Sequence, residues 1–173
     1  MALPEIEIHF GWLVLSAVVI QLIVIYVGFG EAEEFRRFIF PASYVFLIAF
    51  IVLNRRRLGF LVIGGGMVLN FLAIVSNGGL MPISPSSMDK AGLGDELAKL
   101  DVGDAVPHTK NVLLEESDTH LQWLTDRLTW DSPGPFPVFS VGDAIIAVGL
   151  VVILVEFLLP LIHHASRNRT PLT

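Results

Sequence analysis

Four stretches of the chain stay apolar for close to the roughly 20 residues that a helix needs to cross a bilayer. They run over about 10–29, 38–53, 58–76 and 141–163. Polar interruptions are few: Gln21 in the first, Asn70 in the third and Glu156 in the fourth. The first stretch competes with a secretory signal, but no Lys or Arg precedes it and its apolar run exceeds a usual signal core. The pattern predicts an all-α membrane protein in which residues 1–173 form a single transmembrane domain. Four transmembrane helices are joined by a long loop, 77–140, between the third and fourth.

That loop carries its own punctuation. In "SPSSMDKAGLG", Ser84 ahead of Pro85 suits an N-cap followed by a first-turn proline, and Gly92 and Gly94 stop the turn. "DTHLQWLTDRL" predicts a second short helix over Asp118–Leu128, with Thr119 and Gln122 in capping-box register. Its Leu121, Leu124 and Leu128 recur at helical spacing and predict a stripe laid against the bundle or the membrane surface. Pro133, Pro135 and Pro137 then forbid regular structure until the fourth helix begins. No internal repeat stands out among the spans.

Composition places the chain in lipid: 53% of residues are hydrophobic and 16% charged, and mean hydropathy is +0.68. There is no cysteine, so disulfides, thiolate metal sites and thiol nucleophiles are excluded. A net charge of −6 argues against nucleic acid as a partner. Cations set the expected orientation, because Lys and Arg near span ends remain on the cytoplasmic side. Arg55, Arg56 and Arg57 form a basic turn between the second and third helices, and Arg167 and Arg169 follow the fourth. Both signals predict cytoplasmic termini, with 77–140 outside the cytoplasm. Arg36 and Arg37 fall on the outer side, offset by Glu31, Glu33 and Glu34. The expected partners are the lipid bilayer and other membrane protein subunits.

The candidate chemistry lies where carboxylates meet the outer boundary. "SVGD", Ser140 to Asp143, fits a capping box opening an apolar run, with Asp143 favourably placed against the positive helix end. Asp126, beside Arg127, reads alone as part of a solvated polar face. Brought together, Asp126 and Asp143 could share a proton and supply an acid and a base for activating water. Gln21, Asn70 and Glu156 are intramembrane polar groups, for which a hydrogen bond to a neighbouring helix is the commoner fate of Gln and Asn. Glu156 sits thirteen positions past Asp143, about 220° around a helix, so the two do not share a face. Gly64, Gly65 and Gly66 suit close helix packing. The histidines His9, His108, His120, His163 and His164 make no metal spacing, so no metal and no cofactor are expected. In a haem or pigment complex, His9 and the His163/His164 pair would be the axial candidates. Trp12, Trp123 and Trp130 suit interfacial anchoring.

Several of these phrases carry a resemblance. "NGGLMPIS" from Asn77, "DTHLQWLTDRL" from Asp118 and "FSVGDAIIAVG" from Phe139, after "NRRRLGFLVIGGGMVLNFLAIVSNGG", resemble the signature of a bacterial four-helix membrane family of unknown function. That resemblance implies a topology and no activity. "FPVFSVGDAII" and the Asp126-Arg127 dipeptide are also similar, over short patches, to lipoprotein signal peptidase, a four-helix aspartic peptidase. Carried across, this likeness would make Asp126 and Asp143 the catalytic pair and Asn77 a substrate-side polar residue. The peptidase's asparagine-glycine motif, however, precedes its second helix, whereas Asn77 follows the third, and "QWLT" replaces the glycine-asparagine lead-in to Asp-Arg. Two functions are therefore expected in order: a non-catalytic accessory or scaffold subunit of a bacterial membrane protein complex, and alternatively a membrane-boundary aspartyl hydrolase.

Overall fold

A computed structural model describes residues 8–26, 33–130 and 138–167, with side chains to Leu159 in the last stretch. The long helices are α1 (Gly11–Tyr26), α2 (Glu33–Leu53), α3 (Leu58–Ser76) and, at the end of the chain, α6 (Val141–Arg167). Three helical segments are long and apolar enough to cross a membrane: Glu34–Leu53, Leu58–Ser76 and Val141–Leu159. The helix α1 is apolar apart from Ser16 and Gln21 but has 16 residues, and the expected end of its span, 27–29, lies outside the described residues. Outside them too lie Pro133, Pro135 and Pro137, Arg169 and the side chains of Arg167, His163 and His164.

The second helix begins at Glu33 rather than near Phe38. Its first turns are charged, and the chain outside the helices satisfies them: Arg36 donates to the Thr109 carbonyl and Arg37 to that of Gly103. The excursion between α3 and α6 is thereby tied to the start of α2. The tie is close, since a Cβ at Gly79, where φ is +93°, would run into the Arg37 backbone.

The bundle is built from two antiparallel pairs. In the first, Gln21 of α1 donates to the Ser43 hydroxyl of α2 at 3.0 Å, and the contacts around it are aliphatic and aromatic. In the second, α3 and α6 approach through glycines. A Cβ on Gly66 would lie 2.5 Å from the Gly142 carbonyl oxygen, on Gly59 2.6 Å from the Ile153 nitrogen, and on Gly149 2.7 Å from the Ile63 nitrogen. Each absent side chain admits an isoleucine knob or a backbone from the opposite helix, as membrane helix contacts favour. Gly64 serves α2 instead, where a Cβ would meet Ile51 at 2.7 Å. Gly65 is corrected as a packing residue, because a Cβ there would meet nothing within 4 Å.

The excursion is not purely helical, which corrects the all-α expectation. Strand β1 (Met81–Ile83) pairs in parallel with β2 (Asn111–Leu113), in the register Met81 to Asn111, and β3 (Leu128–Thr129) pairs antiparallel with β4 (Val138–Phe139). Short helices α4 (Pro85–Lys90) and α5 (Gly94–Leu97) lie between β1 and β2. Ser84 caps α4, its hydroxyl accepting from the Ser87 amide at 3.2 Å. The helix expected over Asp118–Leu128 does not form. In its place are two 3₁₀ turns, Glu116–Asp118 and Gln122–Leu124, with Leu121 at a φ of +50° between them. Long-range partners take the backbone groups an α-helix would use: Asn77 holds both polar groups of His120, and the Asp126 amide donates to the Pro82 carbonyl. Of the expected leucine stripe only Leu124 is buried.

Candidate functional site: a lysine between two aspartates

Where α6 begins, Ser140 and Asp143 form a reciprocal capping box. The Asp143 amide donates to Ser140 Oγ at 2.9 Å and the Ser140 amide to Asp143 Oδ2 at 3.1 Å, satisfying two amides that a helix start leaves without partners. Asn70, from the C-terminal half of α3, completes the unit. Its Nδ2 donates to Asp143 Oδ1 at 2.7 Å, and its Oδ1 accepts from Ser140 Oγ at 2.8 Å. The Asn70 side chain occupies the place a Cβ at residue 142 would fill, so Gly142 is what lets it reach both partners.

The excursion supplies the other half. Pairing of β1 with β2, with the Met81 amide donating to the Lys110 carbonyl at 3.0 Å, holds Lys110 over the α6 mouth. Its Nζ lies 2.9 Å from Asp143 Oδ2 and 3.5 Å from Asp126 Oδ1. Asn111 donates to Asp126 Oδ2 at 2.8 Å and to the Met81 carbonyl at 3.3 Å. Asp126 is 2% exposed, whereas the side chains of Lys110 and Asp143 retain 24% and 32%.

Burial raises the Asp126 pKa above the ordinary carboxylate range; Lys110 opposes that shift and Asp143 adds to it. For Lys110, burial works against the ammonium, but Asp126 and Asp143 outweigh it and lift its pKa above that of a free lysine. A cation thus stands between the two carboxylates. The arrangement is an ion triad joining the excursion to the bundle, in contrast to two carboxyls facing each other across one shared proton.

The remaining residues singled out above go elsewhere. Asn77, expected on a substrate side, is buried and engaged with the chain itself: it donates to the carbonyls of Ala73 and His120 and accepts from the His120 amide. Glu156 accepts from the amides of Leu58 and Gly59 at 3.0 and 3.3 Å, so a carboxylate of α6 caps the start of α3. His108 stacks on Tyr26, with ring centroids 6.1 Å apart. Among the described residues, no group of three His, Asp or Glu side chains could hold a metal ion. Sequence reasoning missed Lys110 and Asn111. Their one signal is "TKNVLL", in which a cation and an amide lead directly into a short apolar strand.

Apolar helices of spanning length, stitched by glycine and closed at one end by a half-buried charged cluster, mark an integral membrane protein. More narrowly, the chain belongs to a family of unknown function, DUF5317, whose match covers residues 5–155 and so takes in α1 to α3, the first half of α6 and the whole triad. No curated protein and no solved structure matches it.

Proposed function

We propose that this protein is a non-catalytic accessory or scaffold subunit of a bacterial membrane protein complex, a four-span protein of the cytoplasmic membrane with both termini inside. The observation that carries this reading is the Lys110 bridge, because it engages both aspartates in holding the excursion to α3 and α6. The outward orientation of the excursion is supported by Arg36 and Arg37, the cations at odds with the positive-inside pattern, which donate to carbonyls of that segment. The chain has no cysteine, so single-cysteine variants in the 54–57 turn and near Asp143 can be labelled from either side. Labelling of both from the same side refutes the topology. Purification in mild detergent tests the role: a scaffold emerges with partners at fixed stoichiometry, and a monodisperse lone chain overturns it.

A second reading, an aspartyl hydrolase acting on a lipid-linked or membrane-embedded substrate, is favoured by one observation, the convergence of Asp126 and Asp143 on a common neighbour. It requires Lys110 to withdraw and a proton to replace it. Hydrolysis of a membrane-embedded peptide, lost equally in folded Asp126→Asn and Asp143→Asn proteins, would put this reading first.

A further inference from the structure

A five-position pattern, His-x-x-Trp-Leu, occurs twice, at opposite ends of the bundle, and each copy is held by the same device. Residues 9–13 read "HFGWL" and residues 120–124 read "HLQWL"; the helix ends facing them read "IVLN", Ile51 to Asn54, and "IVSN", Ile74 to Asn77. Asn54 accepts from the His9 amide and donates to the carbonyls of His9 and of Phe50, four residues back, all at 2.9 Å. Asn77 treats His120 and Ala73 identically, at 2.7 to 2.8 Å. In each copy the residue after the histidine takes a left-handed conformation, Phe10 at φ +57° and Leu121 at φ +50°. Its carbonyl then accepts from the leucine amide three residues on, at 2.9 Å in one copy and 2.8 Å in the other. The consequence is also shared: the leucine turns inward and is buried, while Trp12 and Trp123 turn outward, 59% and 57% exposed.

The two clamps end helices that run in opposite directions, so they sit at opposite ends of α3. Its 19 residues separate them by about 28 Å at 1.5 Å per residue, close to the roughly 30 Å of a bilayer's hydrocarbon core. Between them the outer faces are apolar, with Leu61, Val68, Leu72 and Val75 exposed along α3. At the Asn54 end, Arg55, Arg56, Arg57 and His9 line one hollow, a cationic wall suited to lipid phosphate. Indole, apolar in body with a single donor, belongs at such a boundary.

We infer that the repeated asparagine clamp is a bilayer-registering device that seats Trp12 and Trp123 in the phospholipid headgroup layers of opposite leaflets. The inference rests on the membrane-spanning reading above, and its test separates the two. Single-tryptophan proteins, with the other tryptophans changed to Phe, are reconstituted in phosphatidylcholine and phosphatidylglycerol vesicles carrying spin labels either shallow or deep in the acyl chains. Both Trp12 and Trp123 should be quenched at least twofold more by the shallow label. A headgroup quencher confined to one leaflet should reach only one of them. Stronger quenching by the deep label, or quenching by aqueous iodide alone, overturns the anchoring. Quenching of both from one leaflet overturns instead the crossing on which it rests. As a positioning test, Asn77→Ala should flatten the depth preference of Trp123 and leave Trp12 unchanged, and Asn54→Ala should do the converse. Loss of neither preference refutes the clamp's role, and the tryptophan depths in the otherwise native chain decide the anchoring where a variant does not fold.

Discussion

The two helix pairs solve the same problem differently. The pair α3 and α6 meets backbone to backbone through Gly59, Gly66, Gly142 and Gly149, and carries a carboxylate network at each end: Asn70, Ser140 and Asp143 at one, Glu156 on the first α3 amides at the other. The pair α1 and α2 is joined, among the described residues, by aliphatic and aromatic packing and a side-chain bond from Gln21 to Ser43, with Asn54 at the end of α2 holding the His9 backbone just ahead of α1. In lipid, apolar burial gives helices little reason to prefer each other over acyl chains, so close contact and buried hydrogen bonds decide which pairs hold. By that measure α3 and α6 are the more tightly joined frame, and under the accessory-subunit reading proposed above α1 and α2 are the pair offered to another subunit.

The largest test removes the charge that ties the excursion to this frame. Lys110→Met leaves Asp126 buried without its cation and should cost on the order of 3 kcal/mol, read as a lowered denaturation midpoint in micelles and early tryptic cleavage at Lys90, Lys99 and Arg127 within the excursion. Adding Asp126→Leu should recover most of the loss, because the unpaired buried charge goes with it. The pH dependence follows from the two shifts. Lys110 has a folded pKa above its unfolded one, so its contribution is complete below about pH 10.4 and is lost as pH rises through the folded value. Asp126 runs the other way. With its carboxyl pKa raised by burial, its ionised form is disfavoured in the fold, so this residue subtracts stability as pH climbs from about 3.9 to the folded value. Asp126→Asn should therefore flatten the acid side of a stability profile and leave the alkaline loss in place. An unchanged acid limb would show that Asp126 is not where that proton binds.

Next in size is a contrast within the glycine triplet. Gly66→Ala drives a methyl against the Gly142 carbonyl, which has no rotamer by which to retreat, and should destabilise by about 2 kcal/mol. Gly65→Ala meets open space and should be neutral or stabilising by up to about 1 kcal/mol, since alanine is the better helix former. Equal effects at the two positions would mean that α3 and α6 are not in the described register.

What could be read in advance depended on whether a feature is local. Ser140 and Asp143 lie three residues apart, and their reciprocal capping follows from spacing alone. The α3 helix was legible from its run of apolar residues, as was the Ser84 cap from its proline. Lys110 was not legible: a single lysine in a long loop has no periodicity, and its place depends on two strands of three residues, too short to show alternation. The failure at Asp118–Leu128 has the same origin, since 43 residues separate Asn77 from the His120 backbone it captures. Long-range amide bonds overrode a leucine spacing that would have served a helix. The glycines that matter are similarly hidden, because Gly59 with Gly66 and Gly142 with Gly149 become one contact only once their helices are laid antiparallel.

The smallest expected effect bears most directly on the difference between the pairs. Gln21→Leu removes the side-chain hydrogen bond from α1 to Ser43 of α2 and places an apolar group among apolar neighbours. Interhelical hydrogen bonds in membranes contribute about 0.6 kcal/mol on average, so the denaturation midpoint should barely move. Ser43 limits the loss further, because its hydroxyl already donates to the Phe40 carbonyl at 2.6 Å and keeps a partner when Gln21 is gone. Hydrogen exchange of the α1 amides, measured beside those of α3, gives the sensitive reading: exchange should quicken in α1 and stay unchanged in α3. A loss of several kcal/mol would mean that α1 is as firmly built into the frame as α6. The surface offered to a partner would then have to be sought on the excursion.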